Sequence, residues 1–169
     1  MMNSSKFRIL DPCPENYRPL VLQWLLEHKE QTLDDLAPHD DAEMKAKYEG
    51  DMARGSKFYG VESEDRTPVG CVWFENVGEG IFVGHLAFSL NHISAQARIN
   101  STRQSLRMVF SSGARKVLWP ALVRNVIYIN FLRKRIGAEL EAVLRKQVRC
   151  KGEWMDVAFL ASFPEEKAI

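Results

Sequence analysis

An α/β (α+β) fold with an antiparallel β-meander at its centre is predicted by three observations. Between Gly55 and Leu90 three β-like runs, Lys57 to Glu62, Pro68 to Asn76 and Gly80 to Leu90, follow one another with only short links. The links Asp65-Arg66-Thr67-Pro68 and Val77-Gly78-Glu79-Gly80 carry the glycine or proline of tight hairpins, so successive runs pair antiparallel. Segments of helical periodicity flank the meander, and a last pair of β-like runs closes the chain.

Each element has a local reason. Lys6 to Leu10 reads as a short strand, stopped by Asp11-Pro12-Cys13-Pro14 because proline cannot donate to a ladder and restricts the residue before it. From Glu15 to His28 the apolar residues Leu20, Leu22, Trp24 and Leu25 recur at roughly helical spacing, with Pro19 tolerated in the first turn. Pro38-His39-Asp40-Asp41 offers an N-cap to a polar helix from Ala42 to Met52, whose few large apolar residues predict a solvated, flap-like element. Beyond the meander, Arg98 to Phe110 is helical through Ile99, Leu106, Val109 and Phe110, and Ser111-Ser112-Gly113 stops it. Val117 to Val123 is a strand carrying Pro120, which belongs on an edge or at a break in hydrogen bonding. Val126 to Ile136 is a helix ended by Gly137, and Ala138 to Val148 and Trp154 to Ser162 form a hairpin about Lys151-Gly152. The order is β-α-α-β-β-β-α-β-α-β-β. With no repeat, linker or low-complexity tract, residues 1–169 are expected to form one domain.

Composition excludes several classes. At 46% hydrophobic and 27% charged residues the chain is neither disordered nor collagen-like nor a coiled coil. No apolar run approaches the roughly 18 residues of a membrane span. Met1-Met2-Asn3-Ser4-Ser5-Lys6 lacks the apolar region of a secretory signal, and Cys13, Cys71 and Cys150 fit neither a disulfide framework nor a metal-ligand spacing, so a cytoplasmic location is expected. His39 with Asp40-Asp41 is explained by capping, and no metal is expected. Nucleophile elbows and phosphate loops are missing from the sequence. Charge is divided along the chain. Residues 1–97 hold 9 Lys+Arg and 16 Asp+Glu, a net −7, whereas residues 98–169 hold 14 and 6, a net +8. A solvated surface can reach such a split by chance. Its functional reading is a basic half facing a polyanion and an acidic half facing a cationic group.

Element order together with Gly113-Ala114-Arg115-Lys116-Val117, Asn125, Leu132-Arg133-Lys134-Arg135-Ile136-Gly137-Ala138 and Gly152-Glu153-Trp154-Met155-Asp156-Val157 resembles the GNAT superfamily of acyl-CoA-dependent N-acyltransferases. The resemblance is to the branch that acetylates ribosomal-protein N-termini, and it covers nearly the whole chain. It implies a mixed, mainly antiparallel sheet with helices on both faces and a V-shaped opening between the strands that contain His85 and Pro120. Acetyl-CoA as co-substrate would lie along Phe88, Ser89, Ser94, Ala95, Gln96, Ala97 and Arg98, where unpaired amides at a helix N-terminus attract the pyrophosphate. The family's pattern there is Arg or Gln, two residues, Gly, one residue, then Gly or Ala. Read without gaps from Phe88 it falls on Ile93 to Arg98 and matches at none of its specified positions, so Gln96 and Arg98 stand where side chains are usually absent.

Asn125 matches the asparagine that holds the cofactor arm, and serves equally as a helix N-cap; the spacing from Asn125 to Gly137 is one residue longer than in the family. His85 in the strand facing the opening is the candidate base, and Tyr128, three residues after Asn125, the candidate acid for the departing thiolate; a lone strand histidine is more often a packed or surface residue, and Tyr128 reads first as a core aromatic. Three functions follow in order. The first is an N-acetyltransferase acting on a primary amine of a protein, peptide or small molecule. The second is a catalytically inactive GNAT-like binding or assembly module, of a kind that small viral genomes reuse. Nucleic-acid binding through Arg133-Lys134-Arg135 ranks last, since no aromatic recognition motif accompanies that cluster.

Overall fold

The computed structural model describes residues 6–27, 38–89 and 91–164. Seven strands form one sheet: β1 (Phe7–Leu10), β2 (Lys57–Ser63), β3 (Pro68–Gly78), β4 (Ile81–Phe88), β5 (Lys116–Leu122), β6 (Glu139–Cys150) and β7 (Glu153–Ser162), in the spatial order β1-β2-β3-β4-β5-β7-β6. Every neighbouring pair is antiparallel except β4 with β5. The helices are α1 (Arg18–Glu27), entered through a 3-10 turn at Glu15–Tyr17, α2 (Asp41–Ala53), α3 (Ala95–Ser111) and α4 (Val126–Phe131). Expected strands and helices are all present, with shifted ends. His28 and Leu90, the last residues of the expected first helix and third meander strand, lie outside the described residues.

Strand alternation separates two cores, because successive side chains point to opposite faces. Phe58, Cys71, Trp73 and Ala87 meet Val21, Trp24 and Leu25 of α1 and Met44 of α2 on one face. Tyr59, Val72, Phe74 and Phe82 meet Leu106 and Val109 of α3, Trp119 of β5 and Leu132 on the other. The sheet is therefore covered by helices on both faces.

β4 and β5 separate part-way along. They are paired only through Ile81↔Lys116, Phe82↔Val117 and Val83↔Leu118, after which β5 follows β7 alone, with Pro120 opposite Phe159. Trp119 stands at the point of separation. A Cβ added to Gly84 of β4 would lie 2.5 Å from the Trp119 ring, so the indole occupies the space a β4 side chain would need. Full burial, an Nε1 hydrogen bond to Ser162 Oγ at 3.0 Å and an edge-on contact with Phe74 at 5.8 Å hold the ring in place. Pro120, lacking a donor, costs the ladder nothing where it has already opened.

The helix after β5 resolves the spacing of Asn125 and Gly137. α4 continues into a π-helical turn, Leu132–Ile136, which holds one more residue than an α turn. Gly137 adopts φ 82°, and the Ala138 amide donates to the Leu132 carbonyl at 3.0 Å, closing the helix in the left-handed manner glycine permits.

Candidate active site

A cavity of 630 Å³ occupies the separation of β4 and β5 and reaches both sides of the sheet. Such a volume suits a ligand of small-molecule size. His85, Leu86 and Phe88 line it from β4, Pro120 and Ala121 from β5, Asn125 and Tyr128 from α4 and the residue before it, Arg98 from α3, and Lys47, Tyr48 and Asp51 from α2.

α2 owes its position to charge. Asp40 caps it, accepting from the Glu43 amide at 2.8 Å, while the Glu43 carboxylate accepts from the His39 amide at 2.8 Å. Met44 is buried, and most of the surface is solvated, as the polar sequence requires. Its C-terminal turn is nevertheless tied down. Asp51 is fully buried and is joined by Lys47, with Nζ 3.1 Å from Oδ2, and by the Arg54 guanidinium. Lys47 also lies 3.1 Å from Glu75 of β3, and Arg54 3.6 Å from the same carboxylate. A lysine between two carboxylates is held above its ordinary pKa, although burial acts in the opposite direction.

His85 sits where this network meets the cavity. It is opposite Trp73 in the β3–β4 register, and the two rings stack at 4.8 Å and 13°. Its Nε2 is 3.6 Å from Glu75, an ion-pair distance longer than a hydrogen bond. Contact with His85 lowers the Glu75 carboxyl most; against the opposing effect of burial, and with Lys47 adding its charge, the pKa falls to about 2. Glu75 is thus a carboxylate throughout the neutral range beside the imidazole, whose buried Nε2 makes no hydrogen bond among the described residues, while the ring is held by its stack on Trp73.

On the other wall Asn125 accepts from the Tyr128 amide at 3.1 Å, so the capping role foreseen for it is realised, and it also faces the cavity. Burial pushes the Tyr128 phenol well above its ordinary pKa, keeping it protonated. Tyr128 stacks against Phe131 at 6.4 Å.

The segment from Phe88 to Arg98 divides. Phe88 lies across Gly70, where an added Cβ would be 2.1 Å from its ring, and reaches the cavity, as does Arg98. Ser89 is buried, and its amide continues the β3 ladder to the Val69 carbonyl at 3.0 Å. Ser94 is the N-cap of α3, accepting from the Ala97 amide at 3.2 Å, so the helix starts at Ala95 rather than at Arg98 as the apolar periodicity suggested. Ala95 and Gln96 form its exposed first turn, whose leading amides have no intrahelical acceptor. The two large side chains that break the glycine pattern fold away. Gln96 Nε2 donates to Asn100 Oδ1 at 2.9 Å along the helix, and Arg98 donates back to the Ile93 carbonyl at 3.3 Å. Glu75, Lys47, Asp51 and Trp73 were not singled out from sequence; the signal was the i,i+4 pair Lys47/Asp51 and the i,i+3 pair Asp51/Arg54 in an otherwise solvated helix.

A seven-stranded sheet that opens at its parallel pair, with a cavity through the opening, is the architecture of the GNAT acetyltransferases. Comparison with solved structures shows the same fold. A ribosomal-protein-alanine N-acetyltransferase from Brucella melitensis superposes with a TM-score of 0.78 at 15% identity, covering 94% of this chain and 99% of that one. A spermidine N-acetyltransferase from Vibrio cholerae, solved with CoA and spermine, gives 0.78 at 12% identity over 93% and 95%. A GNAT superfamily phosphinothricin acetyltransferase from Sinorhizobium meliloti, solved with AcCoA, gives 0.78 at 13% identity over 98% and 91%. No protein-family model matches the chain, and no curated relative matches it in sequence. Among the described residues no cluster of metal-ligating side chains is present and no helix is long and apolar enough to cross a membrane.

Proposed function

We propose that the protein is an N-acetyltransferase that moves the acetyl group of acetyl-CoA to a primary amine. The observation that carries this reading is the opening between β4 and β5, which joins the α3 and α4 side of the sheet to the α2 side and has His85 on one wall and Tyr128 on the other. Acetyl-CoA supplies an activated thioester. The amides of Ala95 and Gln96 would take its pyrophosphate, with Ser94, Ala97 and Arg98 shaping that turn, and Phe88, Ser89 and Asn125 would border its arm.

The chain's own groups then manage protons and position. His85, stacked on Trp73 and beside Glu75, accepts the proton that a primary ammonium must lose before its nitrogen can attack. Tyr128, kept protonated by burial, donates to the sulfur as it leaves. In the balanced reaction a C–N bond forms, the C–S bond breaks, and amine plus acetyl-CoA gives N-acetylamine plus CoA thiol. Holding both reactants in one cleft supplies most of the acceleration, and the acid and base roughly 100- to 10,000-fold more.

Thermal melting with acetyl-CoA and with desulfo-CoA tests the reading. At about 100 times the dissociation constant a ligand stabilises the native state by about 2.7 kcal/mol. For a chain of this length that raises Tm by roughly 5 to 10 °C. No shift with either compound at millimolar concentration would overturn it.

A further inference from the structure

We propose that the acceptor is a small primary monoamine with an apolar body, an inference that rests on the acetyl-transfer reading above. The acidic N-terminal half suggests a site for cations, but the side chains at the cavity do not retain that charge. Asp51 and Glu75 are matched by Lys47 and Arg54, two carboxylates against two cations, all within 4 Å contacts. Among the described residues lining the cavity, Asp51 is the only carboxylate, and it is already bound by both cations. Among the described residues a second ammonium on the acceptor would find no carboxylate in this space that is not already paired.

What the same wall offers is aromatic and apolar: Tyr48 and the His85 imidazole are partly exposed, and behind them Phe58 and Trp73, 7% and 4% exposed, present only their edges. Tyr48 contacts Phe58 at 4.6 Å, Phe58 stacks on Trp73 at 6.3 Å and 4°, and Trp73 stacks on His85 at 4.8 Å and 13°. All four line the cavity, with Met44 and Phe159 beside them. The series ends on the imidazole, so an alkyl or aryl group resting on it carries its amine to His85. With the ammonium proton already on His85, the neutral amine nitrogen bonds to the acetyl carbon as the C–S bond breaks; the sulfur takes the Tyr128 proton and leaves as CoA thiol, and the proton the nitrogen then sheds restores the phenol.

The test uses the intact chain with 2-phenylethylamine, hexylamine, spermidine and a lysine-rich peptide as acceptors, and a second readout, the melting shift produced by each amine in the presence of desulfo-CoA. Phenylethylamine and hexylamine are expected to exceed spermidine and the peptide by about tenfold or more in kcat/KM, as one uncompensated charge would dictate, and to raise Tm where the others do not. Spermidine or the peptide performing as well, or acetyl-CoA binding without transfer to either apolar amine, would overturn the proposal. Failure of acetyl-CoA itself to bind would instead sink the transfer reading, and the proposal with it. In Lys47→Met, shown to be folded by its melting, the site gains a net negative charge, and the ratio of spermidine to phenylethylamine kcat/KM should rise about tenfold; an unchanged ratio would also overturn the proposal.

Discussion

Gly84→Ala probes the feature that opens the sheet. Gly84 requires no left-handed backbone, so a new methyl group meets only packing. It would lie 2.5, 2.6 and 2.8 Å from three carbons of the Trp119 ring, closer than atoms in contact can approach. The ring cannot yield freely, being fully buried and bonded to Ser162. Overpacking of this kind costs about 1–3 kcal/mol. Displacing the indole from Ser162 adds about 1 kcal/mol. The loss of glycine freedom in the unfolded chain returns about 0.4–1 kcal/mol. The net is a destabilisation of about 2 kcal/mol, or roughly 4 to 8 °C in Tm at this chain length. Calorimetry, with urea unfolding to check that the m-value is unchanged, measures it. In a Trp119→Phe background the same methyl group should cost much less, because the smaller ring leaves room, and the difference isolates the Gly84–Trp119 contact. A Gly84→Ala protein as stable as wild type would refute the view that Trp119 packed into Gly84 sets the separation of β4 and β5.

Further outcomes concern the charged network and the two walls. Glu75 has a folded pKa near 2 against an ordinary value of 4.5, so its stabilisation is fully present above pH 4.5 and disappears as the pH falls from 4.5 toward 2. Glu75→Gln should lose about 1 kcal/mol at neutral pH, since its pairs are partly exposed and screened by solvent, and its stability should fall less steeply than wild type in urea titrations between pH 5 and about 3; parallel curves would assign the acid sensitivity elsewhere. Tyr128→Phe is expected to lower kcat about 100-fold with acetyl-CoA affinity unchanged, because only the hydroxyl is removed; an unchanged kcat in single-turnover kinetics would remove Tyr128 from the chemistry. His85→Gln should depress the rate most near neutral pH and least at high pH, where the amine is already neutral, and a uniform loss across the profile would argue for packing alone.

The sheet was legible because its signals are local. Alternating apolar residues between glycine- and proline-bearing links define β2, β3 and β4, and Pro120 marks a place where a ladder is broken. As an N-cap Asn125 was legible from the start of α4; as wall residues Asn125 and Tyr128 were reached only through the family resemblance. The charged network was not legible, since Lys47 and Arg54, the partners of Asp51, meet Glu75 only through the packing of α2 against the sheet. The spacing Lys47/Asp51 is shared by the exposed pair Lys45/Glu49 of the same helix, so spacing alone does not say which carboxylate leaves water. The start of α3 was misplaced for a different reason. Its first turn, Ala95-Gln96-Ala97, is held by the Ser94 cap and by helix propensity rather than by an apolar stripe, so the periodicity begins later than the helix. The directions taken by Gln96 and Arg98 depend on Asn100 and on the Ile93 carbonyl, acceptors whose availability a linear pattern does not express.

The π turn at Leu132–Ile136 gives this stretch of chain a form of slack. Its ends are pinned, at one by the Asn125 cap and at the other by the Ala138 amide on the Leu132 carbonyl, and the surplus residue is taken up as a local widening of the coil between them. A chain of this fold one residue shorter would run as an ordinary α-helix between the same two pins and present the same wall to the cavity. Insertions and deletions here are therefore nearly silent in three dimensions while they displace every downstream position in a residue count, so two proteins can share this wall atom for atom and yet look out of step when their motifs are measured by spacing alone.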